Sequence, residues 1–169
     1  MSRSLLRASL AEFVGTCFLV MVVIGSGIMA QGLSADQLSV LLANTIATGV
    51  GLTALIWIFI AISGAHFNPV VSLVMYLKKE IDVKQLIAFI VFQCAGGLFG
   101  VVLAHAMFGL DILQVSVNDR TGFNIYLSEV VATFGLLMTI LGVRKLHLLA
   151  VAPAVGLYIS AGYWFTSST

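Results

Sequence analysis

At 169 residues, 60% hydrophobic and 9% charged, with a mean hydropathy of +1.12, the chain carries more apolar surface than a water-soluble domain of its size can bury. It therefore reads as an all-α, polytopic membrane protein. A net charge of +1 offers no basic surface for nucleic acid, and Cys17 and Cys94 both lie in apolar runs that suggest neither a disulfide framework nor a metal site.

Arg3 and Arg7 precede an uncharged stretch from Phe13 to Ala35, too long for the apolar region of a signal peptide. A first span is expected over about Leu10 to Ala30. The next uncharged run, Gln37 to Leu77, holds 41 residues. At ~1.5 Å per residue that is about twice the ~30 Å hydrocarbon thickness, so one straight helix cannot account for it. The spacing predicts a second span to about Ile62, a non-helical stretch at Ser63 to Phe67, and a new helix at Asn68-Pro69, since Asn is a favoured N-cap and Pro suits the first helical position. Only ten residues remain before Lys78-Lys79-Glu80, about 15 Å, so this helix is expected to be re-entrant, with its positive end near the membrane midplane. A proline-kinked helix within a bundle is the alternative.

A charged loop follows, then a third span over about Gln85 to Phe108, where Gly96 and Gly100 allow close approach of another helix. A polar connection from Asp111 to Gly122 leads to a fourth span, about Phe123 to Val143, and a fifth runs from about Leu146 to the end. With the N-terminus in the cytoplasm, seven basic residues lie inside (Arg3, Arg7, Lys78, Lys79, Lys84, Arg144, Lys145) and only Arg120 outside.

The chain also repeats itself. Residues 11–21 and 128–138 share five of eleven identities, where about one is expected by chance. The first span starts inside and the fourth outside, so the copies are inverted, with a first repeat over about 8–108 and a partial second over about 123–169. In such architectures the functional site lies between the halves. A second register pairs Gly51-Leu52 and Ser63 with Gly156-Leu157 and Ser168; on it the counterpart of Asn68 falls four residues beyond Thr169.

Ser63-Gly64-Ala65-His66-Phe67-Asn68-Pro69 resembles the first Asn-Pro-Ala motif of the aquaporin (major intrinsic protein) family, and Ala11-Glu12-Phe13-Val14-Gly15-Thr16 and Ser128-Glu129 resemble its first and fourth span starts. The run from Gly156 to Thr169 is similar to the one leading to the family's second motif in bacterial, aquaglyceroporin-like members. Val70 departs from the family's usual Ala. The second motif, its filter arginine and the sixth span are not in these residues, so the expectation is a single incomplete domain, 1–169, with five spans and one half-helix.

The resemblance implies a passive channel for water and small neutral solutes, such as glycerol-like polyols or arsenite-like hydroxides, without enzyme activity or cofactor, in a bacterial inner membrane, as a homotetramer. A truncated, non-conducting remnant and a proton-coupled transporter are the alternatives. Gly64, Ala65, His66, Asn68, Pro69 and Val70 form the expected pore motif. Asn68 is to donate its amide to solutes, Pro69 to start the helix, and His66 either to line the pathway or to bond a buried carboxylate such as Glu129. Glu12 and Glu129, acids inside spans, are costly unless bonded; the resemblance makes them acceptors for loop N–H groups, whereas a transporter would use them as relays. Counted from the motif, Thr48 and Ala161 take the family's filter positions in spans two and five.

Overall fold

The computed structural model describes residues 1–114 and 120–166. Its elements are α1 (Arg3–Leu33), α2 (Gln37–Phe59), α3 (Pro69–Leu77), α4 (Val83–Met107), α5 (Phe123–Val143), a 3₁₀ turn (Leu148–Ala150) and α6 (Val151–Phe165). Five of these segments, counting Leu148–Phe165 as one, are long and apolar enough to cross a membrane. The fourth span falls where its apolar run predicts. The first is longer than expected, because Ser2 caps the helix with its hydroxyl and the helix then takes in both N-terminal arginines.

Caps fix most helix starts. Asp36 accepts from the amides of Leu38 and Ser39 ahead of α2, and Asp82 from that of Gln85 ahead of α4. The Ser39 hydroxyl and amide hold the Asp36 carboxyl below its ordinary range. A depressed carboxyl stabilises the fold above that range, so this cap weakens as pH falls through it.

Two glycine-mediated contacts set the bundle. Gln93, Gly96, Gly100 and Ala104 make the buried face of α4, and α1 packs against it. A Cβ added at Gly100 stands 2.5 Å from the Cys17 carbonyl oxygen, which is backbone and cannot step aside. Gly49 and Gly156 bring α2 and α6 together in the same way, and Trp57 Nε1 donates to the Leu149 carbonyl at 2.9 Å. Leu52, Leu55, Ile56 and Phe67 pack with Val151, Ala152 and Val155 as the apolar core between them. Gly100→Ala is expected to lower stability by about 1–3 kcal/mol, through forced separation of α1 and α4. Gly142→Ala, where the added methyl meets nothing within 4 Å, is expected to be neutral or slightly stabilising. Unfolding midpoints in detergent compare the two.

α5 is the least covered span. Of its residues only Gly135 is buried, and it packs chiefly on α6, where the Tyr158 hydroxyl donates to the Ala132 carbonyl at 3.0 Å.

Candidate functional site

α2 ends at Phe59, a turn follows over 60–63, and residues 64–67 are non-helical before α3 begins at Pro69. Gly64, Ala65 and Phe67 all have positive φ, at 92°, 52° and 48°. Two of them carry side chains in a region that favours glycine, so surrounding bonds must hold the segment in place.

Those bonds come from Glu12, whose side chain is 0% exposed in the middle of α1. Its Oε1 accepts from the Ser63 hydroxyl at 2.5 Å and from the His66 amide at 3.0 Å; its Oε2 accepts from the Phe67 amide at 2.7 Å and from Gln93 Nε2 at 2.8 Å. The backbone amides of His66 and Phe67 and the Gln93 NH₂ can only donate, so they match an ionised carboxylate, and charge-assisted bonds of this kind are what make a buried acid tolerable. Just beyond, the Phe67 ring fills the space above Gly15, where a Cβ would overlap it, and meets Phe59 edge-on at 5.8 Å. The Glu12-Phe13-Val14-Gly15 run thus serves the loop twice, once by its charge and once by a missing side chain.

Gln93 escaped the sequence reading. It also donates to Ser72 Oγ at 2.9 Å, and Ser72 in turn lies 3.0 Å from His66 Nδ1. Its signal was available: an amide in the middle of an apolar span, three and seven residues before the glycines that mark the face packed on α1. Gln93→Leu is expected to cost about 1 kcal/mol, the low end for removing a buried hydrogen-bonding group, because the buried Oε1 it also deletes has no partner. Thermal unfolding of the purified protein measures this.

Asn68 caps α3. Its Oδ1 accepts from the amides of Val70 at 2.8 Å and Val71 at 3.3 Å, which leaves the carboxamide NH₂ without a partner among the described residues. Pro69 takes the first helical position, where its missing N–H costs nothing. Gly64, Ala65, His66 and Asn68 line a cavity of about 220 Å³, with Leu52, Ile56, Val155 and Ile159 among its apolar walls. Val70 does not line it and is exposed on α3. His66 is half-buried in this lining, edge-on to Phe89 at 5.3 Å, and bonds no carboxylate through its ring. A second, wider cavity of about 770 Å³ lies on the other side of Ile159, lined by Gln31, Asn44, Arg120, Tyr163 and Thr166 among others.

Three sequence expectations are placed differently. Glu129 is exposed rather than buried, because no loop of the described residues lies against it as Ser63–Phe67 lies against Glu12. Thr48 is buried on the α2 face that meets α6, with Oγ1 3.0 Å from the Tyr163 hydroxyl, and Ala161 is exposed; neither lines either of the two cavities. For Thr48, counting back from Asn68 crosses the irregular 60–67 segment, so helical register does not carry through it. Ser168, paired with Ser63 in the second register, lies outside the described residues.

A family model described as major intrinsic protein matches residues 1–166. Aquaglyceroporin AqpS of Rhizobium meliloti is 50% identical over 165 residues, covering 98% of this chain and 71% of that protein. Aquaporin C of Dictyostelium discoideum is 32% identical over 173 residues, covering 94% and 62%. The X-ray structure of the aquaglyceroporin from Plasmodium falciparum matches with a TM-score of 0.80 at 23% identity, over 95% of this chain and 73% of that one, and shares its all-α, polytopic membrane fold.

Proposed function

The chain belongs to the major intrinsic protein family, whose members are channels rather than enzymes, and we propose from this that it contributes a passive pathway for water and small neutral solutes. The observation that carries the proposal is Asn68. Its oxygen is committed to the half-helix cap, its NH₂ has no partner among the described residues, and its residue lines the smaller cavity beside the positive end of α3. A fixed donor next to a positive helix end favours solutes that present oxygen and carry no positive charge. Apolar walls opposite suit the carbon face of a polyol, and the 50% identical relative bears the name aquaglyceroporin, which supports glycerol-like solutes; arsenite-like neutral hydroxides share the same donor-acceptor chemistry.

The pathway runs through a bacterial inner membrane with the N-terminus cytoplasmic, as the distribution of basic residues supports, and the assembly is a homotetramer by analogy with the family. A proton-coupled mechanism is less well supported. Glu12, with both oxygens saturated by four donors and no exposure, has no free position from which to exchange a proton with a solute.

Proteoliposome swelling with water, glycerol and arsenite is the test. Rates above those of protein-free liposomes for at least one of the three, unchanged by a proton uncoupler, are expected. Protein-free rates for every solute would overturn the proposal, and uncoupler-sensitive uptake would favour coupled transport.

A further inference from the structure

At the end of the smaller cavity away from Asn68, two charged side chains meet. Arg144 Nη2 lies 2.5 Å from Glu80 Oε2, and Arg144 Nη1 lies 3.0 Å from Met75 Sδ. Both Glu80 and Arg144 line the cavity, and the nine-residue α3, about 13 Å of helix, lies between Asn68 and Glu80 in the chain. Glu80 follows the half-helix of the first repeat, while Arg144 closes α5 of the second. α3 packs on α4 and α5 on α6, so this side chain reaches across the space between the two halves.

The pair is badly placed to stabilise the fold. Its side chains are 30% and 34% exposed, and ion pairs that water reaches contribute little. It is well placed to control a mouth, since a contact that breaks at small cost can open and re-form. The guanidinium adds geometry: one terminal nitrogen bonds the carboxylate and the other donates to the Met75 sulfur on the buried half-helix face.

We infer that Glu80 and Arg144 form a latch across the inner mouth of the solute pathway, holding it narrow and limiting the rate at which neutral solutes reach the Asn68 end. The latch rests on the channel reading given above, so its test has one arm that measures flux and one that does not. For flux, glycerol-driven swelling is compared for the wild type, Glu80→Gln, Arg144→Gln, Arg144→Lys and the exchanged pair Glu80→Arg with Arg144→Glu. For access, Val155→Cys in a Cys94→Ser background places a thiol on the cavity wall. An impermeant methanethiosulfonate is applied to the membrane face bearing Lys78 and Lys79, with and without each latch substitution, and the Cys94→Ser protein alone serves as blank.

Glu80→Gln and Arg144→Gln are expected to raise thiol modification and flux at least threefold. The exchanged pair should return both towards wild type, and Arg144→Lys, which keeps the charge but not the planar fork, should fall between. If the wild type gives only protein-free swelling rates while the thiol readout still rises and reverts in this pattern, the channel reading fails and the latch stands. Thiol modification that is unchanged in both single variants, in protein that retains its helical circular dichroism and elutes as a single species, overturns the latch whatever the flux.

Discussion

Glu12→Ala is expected to destabilise the protein by about 3–5 kcal/mol, because four neutral donors lose one shared charged acceptor. The substitution leaves the Ser63 hydroxyl, the His66 and Phe67 amides and the Gln93 carboxamide without their shared acceptor, each a buried donor whose isolation costs about 1–3 kcal/mol before relaxation. The loop is also held by the packing of the Phe67 ring and by the Ala65 amide donating to Ser63 Oγ, but its positive-φ residues Ala65 and Phe67 flank the amides that Glu12 accepts from. Glu12→Gln should lie in between, since an amide oxygen still accepts while the new NH₂ confronts donors. Glu129→Gln is the internal comparison: the same change at the repeat-related position, on an exposed side chain, is expected to stay within about 0.5 kcal/mol. Equal losses at the two glutamates would mean that Glu12 is not distinguished by the loop it binds. Unfolding in mixed micelles gives the free energies.

Asn68→Asp is expected to leave the fold intact and reduce neutral-solute flux by about tenfold or more, a barrier increase of roughly 1.4 kcal/mol. A carboxylate can accept from the Val70 and Val71 amides as the Asn68 oxygen does, and it is favoured at a helix N-terminus. What it lacks is the NH₂ donor, and in its place stands an oxygen that repels the oxygens of a passing solute. Asn68→Ala removes cap and donor together, so it should lose about 1 kcal/mol of stability as well as flux. Swelling assays and unfolding midpoints on the same preparations separate the two roles. Wild-type flux in the Asn68→Asp protein would reduce Asn68 to a helix cap.

Much of this was legible in the chain because lipid imposes hard constraints. A 41-residue uncharged run is too long for one crossing, and Asn68-Pro69 marks where a helix can restart, so the half-helix could be placed to within a residue. Gly96 and Gly100 announced a close helix contact, though not that α1 would fill it. Other assignments depend on what local periodicity does not carry. The filter assignment of Thr48 was counted back from Asn68 across a segment whose backbone is fixed by tertiary bonds to Glu12, whereas Ala161 lies in α6, away from that segment. Gln93 was passed over because it is uncharged, although its spacing from the two glycines put it on the buried face. The sequence reading made Glu129 equivalent to Glu12 by repeat symmetry, but a carboxylate is buried only where donors surround it, and the described residues bring such donors to Glu12 alone of the two.

Everything turns on a loop held inside the membrane by one carboxylate, and single-amide hydrogen exchange over residues 60–72 in bilayer nanodiscs tests that most directly. The amides of His66 and Phe67, which lie outside any helix, should exchange slowly in the wild type and at least tenfold faster in Glu12→Gln, while the helix-bonded amide of Ser72 changes little. Fast exchange at His66 and Phe67 in the wild type, or uniform protection across 60–72 that is indifferent to Glu12, would contradict it.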